Sequence, residues 1–159
     1  MTIEERLQAV EDRLAIIELE AQYAASFDAR DGEAWARLFT EDGIYQPRQT
    51  AGAPSVSVVQ GRAALRDYCA SAPYSGVHFL HLPQVTFDGD TARARIHLEF
   101  FGVFEAPGNP FLRMAGYYDV AYRRTPEGWR IERKVTTTFA RDQVSAFGYL
   151  PGSGLDTSG

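Results

Sequence analysis

One cysteine, Cys69, is present in the 159 residues, which excludes an internal disulfide and any multi-cysteine metal centre. A lone thiol inside "GRAALRDYCAS" is expected to be a small apolar core residue. Histidine is almost as scarce, at His78, His81 and His97. A three-histidine metal site needs all of them on one face. His78 and His81 have opposite strand parity unless Pro83 marks a bulge, and His97 shares a row with Arg93, Arg95 and Glu99, so no metal is expected. Basic residues are in deficit, 16 against 21 acids for a net charge of −5. No basic face is available to neutralise phosphates, which argues against nucleic acid and anionic membrane surfaces as partners. No apolar run approaches the roughly 20 residues that span a bilayer. No charged-apolar-small leader opens the chain, and the expectation is a soluble, cytoplasmic protein. Phosphate loop, nicotinamide fingerprint, nucleophile elbow and helical zinc pair are all missing. The glycines of "GYLPGSG" lie in the tail, with no strand before them and no helix after, so no cofactor is expected.

Hydrophobic patterning is plentiful, with 45% apolar and 13% aromatic residues in a length that suits one domain. Residues 3–27 carry Leu7, Val10, Leu14, Ile17, Ala21 and Ala24 at spacings of three and four, one stripe of an amphipathic helix with Glu, Arg and Gln opposite. The charged opening "MTIEERLQAVEDR" suits a partly separate helix or an oligomer contact. "DGEAWARLFT" reads as a short helix capped by Asp31, and "GIYQP" as a short strand closed by Pro47. Residues 48–60 form a loop of small and polar residues, a candidate lid, before "GRAALRDYCASA" returns to helical spacing. From Gly76 the period changes to two. "VHFLHLPQVTF", "TARARIHLEFFGVF", "FLRMAGYYDVAYRR" and "WRIERKVTTTF" read as four successive strands, with turn chemistry at "DGD" and "TPEG". Helices first and a meander afterwards define an α+β plan with the helices on the concave face of an antiparallel sheet. The domain is placed at residues 1–145 and a Gly- and Ser-ending tail at 146–159, where Phe147, Tyr149 and Leu150 are apolar enough to dock.

With nucleophiles and metals set aside, acid–base chemistry remains. Asp28 follows a run of apolar and small residues, where a carboxylate is withdrawn from water. It has a second reading as a helix cap, although "DARD" offers Asp31 for that role. His78 stands among aromatic and aliphatic neighbours in "GVHFLHL", as either a core histidine or a base.

Four pieces in order, "AIIELEAQYAASFDARDGEAWARLFTEDG", "VHF", "FDGDTARAR" and "GYYDVAYRRTPEGWRI", resemble the nuclear transport factor 2-like superfamily. The likeness is to its SnoaL-like branch, with scytalone dehydratase and γ-hexachlorocyclohexane dehydrochlorinase, and covers roughly residues 10–140. It implies a cone-shaped α+β barrel, helices packed on a strongly curved, mostly antiparallel sheet. In those lyases an Asp at the end of the long helix pairs with a His on the first long strand, and Asp28 and His78 match these positions. The implied function is a cofactor-independent lyase of dehydratase type, in which His78, oriented by Asp28, takes a carbon-bound proton from a small aromatic or cyclic substrate. The alternatives are an isomerase or polyketide-type cyclase using the same base, a retro-aldol lyase, or a non-catalytic module like a dioxygenase small subunit. Tyr23, Tyr45 and Tyr118 match polar pocket positions, Lys134 aligns with a basic residue, and Phe79, Phe100, Phe104 and Met114 suit a greasy pocket. The second pocket histidine of scytalone dehydratase falls near Gly102 and its second tyrosine at Phe27, which argues against scytalone itself. The resemblance also implies a homo-oligomer, trimer or dimer, through an outer sheet face including Phe101, Tyr117 and Ala121.

Overall fold

The computed structural model describes residues 1–50, 58–105, 107, 108 and 111–139. Ile3–Asp28 form helix α1, opened by a capping box in which Thr2 and Glu5 each bond the other's backbone N–H. Asp31 accepts the Ala34 N–H at 3.0 Å and so caps the short helix α2, Gly32–Arg37. Arg30, at φ 55°, supplies the left-handed residue that turns the chain between them. Strand β1 (Phe39–Thr50) follows, then β2 (Val59–Gln60), helix α3 (Arg62–Ala70), β3 (Tyr74–Leu80), β4 (Gln84–Asp88), β5 (Thr91–Phe104), β6 (Phe111–Thr125) and β7 (Gly128–Thr138). The strands build a seven-stranded curved sheet in the order β2-β1-β7-β6-β5-β3, with β4 paired beside β3 on β5. Every pairing is antiparallel except β1 with β7. Among the described residues β2 and β3 end the path without pairing each other, so the cone is open. No described helix is long and apolar enough to cross a membrane.

The α+β plan and the cone agree with the sequence reading; four details differ. "GIYQP" is part of a twelve-residue strand that begins at Phe39 and runs through Pro47. "VHFLHLPQVTF" is two strands, because Pro83 lacks the N–H a ladder needs and β3 stops at Leu80. Phe79, assigned to a greasy pocket, points to the outer face, where it is 55% exposed and packs on Phe101. The largest difference concerns α1. Leu7, Val10 and Leu14 are exposed, whereas the buried face carries Asp12, Ile16, Leu19, Glu20, Tyr23 and Phe27. Two acids on the inward side disguise it as the polar one. Most of the proposed lid (residues 51–57) and the tail (146–159), with its boundary at 145, lie outside the described residues.

The buried acids have specific partners. Asp12 accepts two bonds from Arg124, at 2.8 and 2.6 Å, and one from the Trp129 indole N–H at 3.0 Å, which clasps α1 to the β6–β7 hairpin. The Arg124 guanidinium holds the Asp12 carboxyl below its usual range. The core gathers around fully buried Trp35, whose ring lies 4.9–5.4 Å from those of Phe39, Phe27, Tyr23 and Tyr45. Cys69 is buried and free, as expected.

Candidate active site

The open cone leaves a cavity of about 240 Å³ between α1, α3 and the concave sheet face. Its wall is mostly aromatic, with Phe27, Tyr68, Tyr74, Phe100 and Phe104 among the lining residues. His78 reaches it from β3, where alternate residues face inward, and Asp28 arrives as the final residue of α1. The two meet twice. The Asp28 carboxylate accepts the His78 backbone N–H at 3.0 Å through Oδ2, and its Oδ1 lies 2.6 Å from His78 Nδ1. A carboxylate only accepts, so Nδ1 carries a proton, and in the neutral tautomer this contact selects, the lone pair falls on Nε2 of a ring that borders the cavity. The His78 side chain is 7% exposed and Asp28 20%. The bond from the His78 backbone N–H to the Asp28 carboxylate also ties the end of the helix to the strand.

Phe100 packs 4.6 Å from the His78 ring. It can do so because Gly76 and Gly102, paired across β3 and β5, leave the wall bare beneath it. A Cβ at Gly102 would stand 2.6 Å from the Phe100 ring. The space beside Gly102 is therefore occupied by an aromatic face.

Besides Tyr68 and Tyr74, three further phenols line the cavity, Tyr23, Tyr45 and Tyr118. Tyr23 and Tyr118 pack edge to face with ring centroids 5.6 Å apart, and Tyr45 bonds Thr136 Oγ1 at 3.1 Å. Burial pushes all three hydroxyls well above the ordinary tyrosine range, so they stay protonated and remain available as donors. Met114 lines the cavity as expected. Lys134 does not. It is fully buried behind the tyrosines, its Nζ 3.4 Å from the Tyr23 ring centroid and 4.4 Å from that of Tyr118, and it pairs with Glu20. Glu20 also accepts the Tyr122 hydroxyl at 2.7 Å. Burial lowers the Lys134 ammonium to about 8, opposed by the Glu20 charge.

Sequence reasoning missed Tyr68, Tyr74, Thr136 and Glu20. Tyr68 and Tyr74 carried ordinary helix and strand spacing. Thr136 and Lys134 face inward only because Glu132 is an extra residue in β7: Tyr122 pairs with Ile131, yet its neighbour Ala121 pairs with Arg133. His81 and His97 sit together on the outer face, rings 6.3 Å apart. Among the described residues no three His, Cys, Asp or Glu side chains gather as metal ligands.

A helix-backed open cone is the architecture of the nuclear transport factor 2-like superfamily. Within it the chain belongs to the SnoaL-like domain family, whose model matches residues 8–135. It is 32% identical over 133 residues to an uncharacterised protein of Mycobacterium tuberculosis, covering 80% of this chain and 86% of that one. An NTF2-like protein with a cystatin-like fold from Novosphingobium aromaticivorans superposes with a TM-score of 0.72 at 32% identity, over 88% of this chain and 90% of that one. The hexachlorocyclohexane dehydrochlorinase LinA-type3 of Novosphingobium barchaimii gives 0.74 over 92% and 99%, at 16% identity, a likeness of fold alone.

Proposed function

We propose that the protein is a cofactor-independent lyase acting on a small aromatic or cyclic substrate. The observation that carries this reading is the Asp28–His78 contact, which orients the His78 imidazole at the edge of an apolar cavity. Nε2 takes a proton from a carbon next to one bearing a leaving group. The C–H electron pair becomes the new C=C bond, and the leaving group departs with its own bonding pair. The imidazolium then returns the proton to that group, or to solvent. Asp28 stabilises the imidazolium while it exists and keeps the ring from turning. The O–H groups of Tyr23, Tyr45 and Tyr118 hold a carbonyl or phenol oxygen on which charge develops as the proton leaves. The aromatic walls exclude water and select flat or cyclic molecules that fit within about 240 Å³.

Isomerisation, cyclisation and retro-aldol cleavage share the first step and part from elimination in what leaves. The test therefore begins with the step they share. Cyclic ketones and phenols with an activated C–H are incubated with the protein in deuterium oxide, and exchange is followed by proton NMR. Wild type should catalyse exchange, and His78→Ala should lower the rate at least about a hundredfold, the scale of general-base catalysis. Equal exchange by a folded His78→Ala variant would refute the proposal. Product analysis of a substrate that does exchange then separates elimination from isomerisation. A purely binding module would exchange nothing with any ligand it holds.

A further inference from the structure

The face that α1 turns away from the body has a regular pattern that the catalytic reading does not use. Ile3, Leu7, Val10, Leu14 and Ile17, continued by the smaller Ala21 and Ala24, follow one another at steps of four and three without a break. That is the spacing of a coiled-coil seam, with Leu7, Leu14 and Ala21 in the first apolar position of each heptad and Ile3, Val10, Ile17 and Ala24 in the second. Ile3, Leu7, Val10 and Leu14 are 55–75% exposed. The residues that hold α1 to the body, Asp12, Ile16, Leu19, Glu20, Tyr23 and Phe27, lie on the far side of the helix. Residues 3–11 are all exposed. They amount to about 13 Å of helix projecting into solvent. So short and unsupported a segment is a marginal helix on its own.

The flanking charges say what covers the seam. Arg6 and Arg13 border it on one side and Glu4, Glu11 and Glu18 on the other. In a parallel, in-register pairing of two copies, each flanking residue meets the one five positions further along in its partner. Arg6 then meets a glutamate at 11 and Arg13 a glutamate at 18. An antiparallel pairing would set arginine against arginine and glutamate against glutamate. We infer that α1 is a self-association element: copies of this chain pack in parallel through the Ile3–Ile17 seam, with their cavities facing outward. Leucine at the first apolar position with isoleucine or valine at the second favours three or four strands over two. This interface differs from the outer sheet face around Phe101 and Tyr117, and it does not depend on the reaction proposed above.

The test is the mass of the intact protein by light scattering, whose monomer is 17.7 kDa. Wild type should be an oligomer at ~100 µM, a concentration at which mass action populates even a modest interface. Leu7→Glu with Leu14→Glu should raise the dissociation constant at least ~100-fold, because it buries two unpaired charges per chain in the seam. Both sites are exposed in the single chain, so circular dichroism should still report a folded protein. Arg6→Glu with Arg13→Glu should also dissociate it, and adding Glu11→Lys with Glu18→Lys should restore the oligomer. A monomeric wild type would overturn the inference, as would an oligomer that survives the seam variants or is indifferent to the charge exchange.

Discussion

Beyond Asp12, helix α1 brings two acids to the cavity end, Glu20 and Asp28, eight residues apart, and each meets a nitrogen base from a different strand. Glu20 meets Lys134 of β7 and Asp28 meets His78 of β3. The Glu20–Lys134 pair is sealed, 4% and 0% exposed, beneath the phenols of the cavity. The Asp28–His78 pair stands at the cavity wall with its carboxylate 20% exposed. The chemistry follows from that difference. A base that borders a cavity can exchange its proton with whatever enters, while one enclosed by Tyr23, Tyr118 and a carboxylate can only hold its surroundings in place. The Lys134 ammonium lies against the faces of the Tyr23 and Tyr118 rings, which stand between it and the cavity they line.

The sharpest way to break this division is to remove the buried ammonium. Lys134→Met should cost about 3–5 kcal/mol of stability, because it strands the Glu20 carboxylate in the core. Urea unfolding would read this loss, and adding Glu20→Leu should recover most of it. A variant that kept its stability but lost its activity would move Lys134 into the chemistry instead. Asp28→Asn addresses the other pair. An amide NH2 opposite Nδ1 favours the ring tautomer with the proton on Nε2, which removes the base while leaving its shape. Deuterium exchange should fall at least about a hundredfold, while the urea midpoint moves far less than for Lys134→Met. Similar losses of stability in the two variants would erase the distinction.

The smallest effect is in the pH dependence of folding. Lys134 sits at about 8 in the folded chain and at its ordinary 10.5 when unfolded. Between these values the unfolded chain binds the extra proton, so stability should rise with pH, by roughly 1.4 kcal/mol per unit at most. Above pH 10 the sign reverses: Tyr23, Tyr45 and Tyr118 stay protonated when folded and ionise when unfolded. Urea midpoints from pH 7 to 11 should therefore pass through a maximum between pH 8 and 10. Lys134→Met should lose the rising limb and keep the fall.

The same two pairs mark how far the sequence could be read. The extents of α1, α3, β5 and β6 follow from periodicity, and β5 is found at its expected bounds, Thr91–Phe104. The burial of α1 does not follow, because Asp12 and Glu20 look like surface residues until Arg124, Trp129 and Lys134 are placed beside them. Asp28 and His78 came together only through family resemblance; nothing local joins residues fifty positions apart. Phe79 and Phe100 look equivalent as aromatic strand residues, and only the register of β3 against β5 separates outer face from cavity.

The extra residue in β7 has a consequence for how such cavities diversify. Below Glu132 the strand turns Trp129 and Ile131 inward, and above it Lys134, Thr136 and Thr138. Had the alternation run on unbroken, the inward set above Glu132 would be Arg133, Val135 and Thr137. One stretch of polypeptide thus holds two alternative interiors, one with a cation to be neutralised by Glu20 and one with a guanidinium in its place. Which interior is built depends on the bulge alone: absorbing Glu132 into a regular ladder, with every residue kept, would exchange the two sets, whereas deleting it would keep Lys134, Thr136 and Thr138 inward on an unbroken strand.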